Sequence, residues 1–83
     1  MKQISKQEII NLISKICKVN KSKIDINSSI KNIDEWDSIN HLNLMVEIDS
    51  KLKGKAKDLP DLATANSVKK IYSILNKNKL LKK

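Results

Sequence analysis

Asp37-Ser38 opens a strongly apolar helical pattern, and it is the place in this chain where chemistry is easiest to see. A helix N-terminus presents unpaired backbone N–H groups and the positive end of the helix dipole, so it seats an anion well. A serine there can act as a plain cap, or it can carry a phosphate ester. The chain has one His and one Cys, His41 and Cys17, on different predicted helices. They suggest no Ser/His/Asp or Cys/His set and no zinc site of the usual kind, so no catalytic or metal residue is assigned. A single Gly leaves no Gly-rich phosphate loop. His41 reads as a packed or hydrogen-bonded residue near the helix start, and Cys17 as a small core residue.

The charge pattern sets Ser38 apart from its surroundings. The net charge is +8, and all 17 basic residues are Lys. Arg reads bases and phosphates bidentately, so its absence weakens a nucleic-acid reading. Residues 25–50 carry one Lys against Asp25, Asp34, Glu35, Asp37, Glu47 and Asp49, while both flanking thirds are basic. Ser38 therefore lies in an acidic island within a basic chain.

The elements that must position it follow from spacing. Ser5-Lys6-Gln7-Glu8 is a capping box, with Ile4 and Ile9 placed as a hydrophobic staple. Ile9, Leu12, Ile13 and Ile16 recur at helical spacing, predicting a first helix from about Lys6 to about Lys18. Residues 19–36 read as a long connection pinned by isoleucines, with one short turn near Ser22–Asp25. A second helix is expected from Ser38 to about Leu52, capped by Asp37 or Ser38 and ended at Gly54. It carries two apolar stripes. Leu44, Met45, Ile48 and Leu52, with His41, form one, and Ile39, Leu42 and Val46 form the other. In so small a chain the second stripe is expected to face a partner. A Lys-rich loop at 53–59 precedes a short third helix from Pro60 to about Ala65, anchored by Leu59 and Leu62. Asn66 or Ser67 caps a last helix with Val68, Ile71, Tyr72 and Leu75 on its apolar face. No strand pattern is visible, and residues 77–83, with four Lys, are expected to fray. The sum is an all-α, small four-helix bundle forming one domain over residues 1–83, with a long first connection and a short third helix.

In this order the chain resembles the acyl carrier and peptidyl carrier proteins over about residues 4 to 76. The residues that carry the resemblance are Asp37-Ser38-Ile39 opening the second helix, followed by Leu42, Leu44 and Ile48. The resemblance implies that Ser38 is the attachment site of 4′-phosphopantetheine, delivered from coenzyme A by a separate transferase with Mg²⁺. It implies that Asp37 helps that transferase and its metal engage the serine. The cargo would hang from the arm as a thioester, and the protein would be a carrier rather than an enzyme. Two departures matter. Glu35-Trp36 stands where the family often has a Gly two residues before the Asp, as in a subset of carriers with W-D-S. Asn40, Asn43 and Ser50 fall where fatty-acid carriers are often acidic. These departures point to a dedicated biosynthetic pathway more than to housekeeping fatty-acid synthesis.

The expected partner-facing residues are Trp36, Ile39, Leu42, Val46, Glu47 and Asp49. The partners are the transferase and loading or processing enzymes with basic docking surfaces, met by a monomer. Trp36 is also read as a shield for the loop core. The alternative is a small basic helical module for nucleic acid or an anionic membrane surface. No apolar run reaches the roughly 18 residues of a membrane span. The N-terminal segment lacks the apolar stretch of a signal peptide, so a cytoplasmic location is expected.

Overall fold

The computed structural model describes residues 3–82, the side chains of 57 and 58 excepted. Its elements are β1 (Ile4–Ser5), α1 (Lys6–Cys17), a 3-10 turn (Lys21–Lys23), α2 (Ser38–Lys51), two further 3-10 segments (Lys55–Asp58 and Pro60–Thr64), α3 (Val68–Lys77) and β2 (Leu81–Lys82). The capping box starts α1 as the sequence predicts. The Ser5 hydroxyl accepts from the Glu8 amide at 3.1 Å, and the Glu8 carboxylate accepts from the Ser5 amide at 3.0 Å. That backbone bond is the main reason the Glu8 carboxyl lies below its ordinary pKa. Ile4 and Ile9 are both fully buried, which completes the staple.

α1 and α2 pack antiparallel. Glu8 in the first turn of α1 lies 3.9 Å from Lys51 in the last turn of α2. At the other end, Asp37 and Glu35 are close enough to Cys17 to help raise its pKa. The Glu8–Lys51 pair reports this direction but adds little stability, because both side chains are well exposed. Ile9, Leu12, Ile13, Leu44, Ile48, Leu52, Val68, Ile71 and Leu75 build one aliphatic core with Trp36 at its edge.

The long connection is ordered by its own polar side chains. The Ser28 hydroxyl accepts from the Asp25 amide at 2.9 Å, and the Asn32 side chain accepts from the Ser29 amide at 2.8 Å. Backbone bonds then stitch the connection to the cap of α3, Val68 N–H to Ser28 O and Ile30 N–H to Asn66 O, both at 3.0 Å. Ile24 and Ile33 pin it to the core, whereas Ile26 and Ile30 are exposed.

Two expectations are corrected. First, the described residues hold three α-helices and a two-stranded parallel sheet, and the expected short third α-helix is 3-10 throughout. Leu59, held out of the helical region before Pro60 (φ −123°, ψ 73°), separates the two segments, and the five residues left from Pro60 to Thr64 close as 3-10 turns, the form that short pieces favour. Second, the stretch after α3 does not fray. Lys79 adopts a left-handed conformation (φ 60°), Lys79 N–H bonds Asn76 O, and Leu80 N–H bonds Leu75 O. This is a Schellman turn, and it folds Leu80 and Leu81 back into the core. β2 then pairs with β1, Ile4 opposite Leu81, in parallel register. The same turn ends α2, with the left-handed position at Lys53 and Gly54 N–H bonding Asp49 O at 2.9 Å. Lys83 and residues 1–2 lie outside the described residues.

Candidate functional site

The start of α2 is built so that Ser38 is not used for capping. Asp37 is the cap, with extended backbone (φ −99°, ψ −175°), and its carboxylate accepts from the Asn40 amide at 2.8 Å. The Asn40 side-chain amide donates to Glu35 O at 2.7 Å, which fastens the incoming chain against the first turn. Ser38 is therefore the first helical residue, exposed, at the positive end of the helix. With the Asn40 amide taken by Asp37, an ester oxygen on Ser38 would lie at the exposed, positive end of the helix, the end that favours an anion.

A hydrogen-bonded strut lies beneath this first turn. Trp36 is buried (1 % exposed), and its indole Nε1–H donates to His41 Nδ1 at 3.0 Å. The second ring nitrogen, Nε2, lies 3.0 Å from Leu62 O. The indole can only donate, so Nδ1 accepts and Nε2–H donates to Leu62. The strut joins three elements, namely the long connection, α2 and the Pro60–Thr64 segment. The burial of Trp36 corrects its placement among the partner-facing residues. Its ring faces the core because a large apolar side chain one residue before the cap packs under the helix start. His41 is packed and hydrogen-bonded, in keeping with its sequence reading.

α2 divides cleanly into two faces. His41, Leu44, Ile48 and Leu52 are buried and Met45 is half-buried. Ile39, Leu42 and Val46 are 72 %, 65 % and 62 % exposed. Three large aliphatic side chains on one helical stripe, left in water, are unusual for a small domain. Asp34, Glu35 and Asp37 are exposed around Ser38, while Glu47 and Asp49 are only half-buried at the flanks of the stripe. Asp49 departs in part from the expected docking role. Its Oδ1 atom is sealed from solvent and has no hydrogen-bond partner among the described residues. It lines a cleft of about 300 Å³ between α2 and the segment from Ala56 to Ala63.

Cys17 is buried, and burial above all, with Asp37 and Glu35 adding to it, pushes its thiol pKa up. It is an inert core thiol. Among the described residues no three His, Cys, Asp or Glu side chains gather as a metal site, and no helix is long and apolar enough to cross a membrane. Compared with protein-family models, with curated proteins and with solved structures, the chain matches none.

Sequence reasoning missed the Trp36–His41–Leu62 strut and the sealed Asp49 oxygen. The spacing of Trp36 and His41 holds a signal for the first, since five residues across a helix start bring a loop side chain under the first turn. Nothing in the sequence signals the second, which depends on how the Ala56–Ala63 segment folds over α2.

Proposed function

We propose that this chain is a carrier protein, modified on Ser38 by 4′-phosphopantetheine and shared as a substrate among several enzymes. The observation that carries the reading is the division of labour at the start of α2. Asp37 takes the cap, and the Ser38 hydroxyl stands exposed at the positive helix end beside a stripe of exposed aliphatic residues. In modification, Ser38 Oγ would form the new bond to phosphorus, lose its proton, and release 3′,5′-ADP from coenzyme A. The arm supplies a terminal thiol on which an acyl or aminoacyl group rides as a thioester.

This chain's own residues do the rest. Asp37 keeps Ser38 in the first turn and offers a carboxylate to the transferase and its Mg²⁺. Ile39, Leu42 and Val46 form the apolar centre of a docking surface, with Glu35, Asp37 and Glu47 as its acidic surround. Basic partner surfaces are guided and oriented by such a pattern. Tethering raises the effective concentration of cargo at each enzyme, so the carrier needs no catalytic residue of its own. The exposure of the stripe and the acidity around Ser38 favour this reading over a nucleic-acid or anionic-membrane module.

Incubation with coenzyme A, Mg²⁺ and a broad-specificity phosphopantetheinyl transferase tests the proposal. Intact mass should show one added arm on the wild type and none on Ser38→Ala. An unmodified wild type, or equal gain in the variant, would overturn it.

A further inference from the structure

A groove of about 680 Å³ opens between the first turn of α1, α3, β2 and Ile26 of the long connection. Ile26, Tyr72 and Leu81 give it an apolar wall, and Lys6, Lys69 and Lys82 give it charge. No carboxylate of the described residues lines it. The two nearest in sequence are turned to other partners. Asp25 accepts from the Asn27 amide at 2.8 Å, and Glu8 accepts from the Ser5 amide at 3.0 Å. Lys6 Nζ lies 5.6 Å from the centroid of the Tyr72 ring, which holds one ammonium beside the apolar wall. The Tyr72 hydroxyl in turn donates to Lys6 O at 3.2 Å, so α1 and α3 are tied together at the groove. Lys6 and Lys69 also sit in the first turns of α1 and α3, the positive helix ends. Ile26 is 47 % exposed, and docking on α2 does not use it.

We infer that this groove binds a free alkyl carboxylate, a single hydrocarbon chain ending in one negative charge. A concave apolar wall with a few charged groups is the form of a small-molecule site. The alkyl chain covers Ile26, Tyr72 and Leu81, and the carboxylate meets the lysines. Their stems extend the apolar wall while their ammonium groups stay in water. A separate molecule fills a concavity that a flat bilayer surface does not, so the occupant is the free acid rather than a membrane lipid. The net charge of +8 draws anions from solution. Lys6 opens α1, whose other end lies near Asp37 and Glu35, so this wall stands at the opposite end of the α1–α2 pair from Ser38. The site goes beyond the carrier reading and needs neither Ser38 nor the arm.

The test titrates the intact, unmodified chain with octanoate, octanol and acetate, followed by amide ¹H–¹⁵N spectra. Octanoate has chain and charge, octanol the chain alone, and acetate the charge alone. Octanoate should give saturable shifts at residues 5–7, 26, 69–76 and 81–82. Its affinity should exceed that of either other probe about tenfold, the ratio equivalent to 1.4 kcal/mol. Lys69 and Lys82 are exposed, so the double variant Lys69→Glu, Lys82→Glu should keep its helicity by circular dichroism and lose octanoate affinity about tenfold. Ile26→Ser, also at an exposed position, should weaken octanoate and leave acetate unchanged. No saturable shift at these residues, equal affinity for octanol, or full octanoate affinity in either variant would overturn the inference. Phosphatidylglycerol vesicles form a separate arm. Shifts here with vesicles and none with octanoate would assign the groove to a membrane surface and overturn it as well. Arm loading, read by intact mass, is untouched by these outcomes, so the two readings fail separately.

Discussion

The two faces of α2 have similar residues and opposite fates. Leu44 and Ile48 are 2 % and 0 % exposed, while Leu42 and Val46, two residues before each, are 65 % and 62 % exposed. Hydrophobicity alone does not separate them. The buried face meets α1 and the 3-10 segments, whereas the exposed face is mostly open to solvent, with Val46 bordering the cleft beside Ala56–Ala63. The helix is thus more apolar than folding requires, and the surplus lies on the face that shares a helix start with Ser38. On the proposed carrier reading, stability and recognition are carried by different side chains of one helix, so substitution can address them separately.

The largest expected effect is on the buried face. Ile48→Ala should cost about 2–5 kcal/mol, because a fully buried side chain leaves a cavity between two helices. Thermal unfolding should show a drop on the order of 4–8 °C per kcal/mol. Next comes the strut. His41→Ala removes the acceptor for Trp36 Nε1–H and the donor to Leu62 O, leaving two buried groups bare at about 1–3 kcal/mol each. Trp36 is the chain's sole Trp, so its fluorescence reads the change directly. The emission should shift to longer wavelength in the folded variant, and an unchanged spectrum would mean that the indole keeps its surroundings without His41. Asp37→Ala should cost roughly 1 kcal/mol through the lost cap, and should also slow arm loading. Asp37→Asn, which still caps, should recover the stability and leave the loading defect. Val46→Asp is expected to change stability least, within about 0.5 kcal/mol. It should nonetheless weaken docking of a loading enzyme, and Glu47→Lys should slow loading and blunt its dependence on salt. A loss of helicity in Val46→Asp would place Val46 in the core and erase the distinction between the faces.

Much of this was legible in the sequence because the signals are local. Ser5 with Glu8, Asp37 before Ser38, and Ser67 before Val68 each place a cap within one turn of the helix it starts. The two stripes of α2 follow from helical spacing alone. What could not be read depends on contacts distant in the chain. Leu80 and Leu81 stand among lysines, and only β1, some 76 residues away, shows where they go. The Pro60–Thr64 segment was a different case, its helical character legible but its 3-10 form set by a length of five residues. Trp36 lay in a window that looked like surface because Asp34, Glu35 and Asp37 surround it. Its burial is decided by His41 and by the space under the first turn. At the site itself, Ser38 and its exposed neighbours were visible as sequence, while the cleft at Asp49 required the fold.

The pairing of β1 with β2 has a consequence for how the molecule opens. Backbone amides near the ends of a small domain ordinarily exchange with solvent by fraying, at almost no free-energy cost. Here Ile4 N–H is bonded to Leu80 O at 2.9 Å, and both side chains are buried. Neither end can peel away without exposing the other, so the two loosen as one cooperative unit. Hydrogen exchange at Ile4 should therefore report the release of the Leu80–Lys82 segment, a slow event at a position where a fast one is the rule.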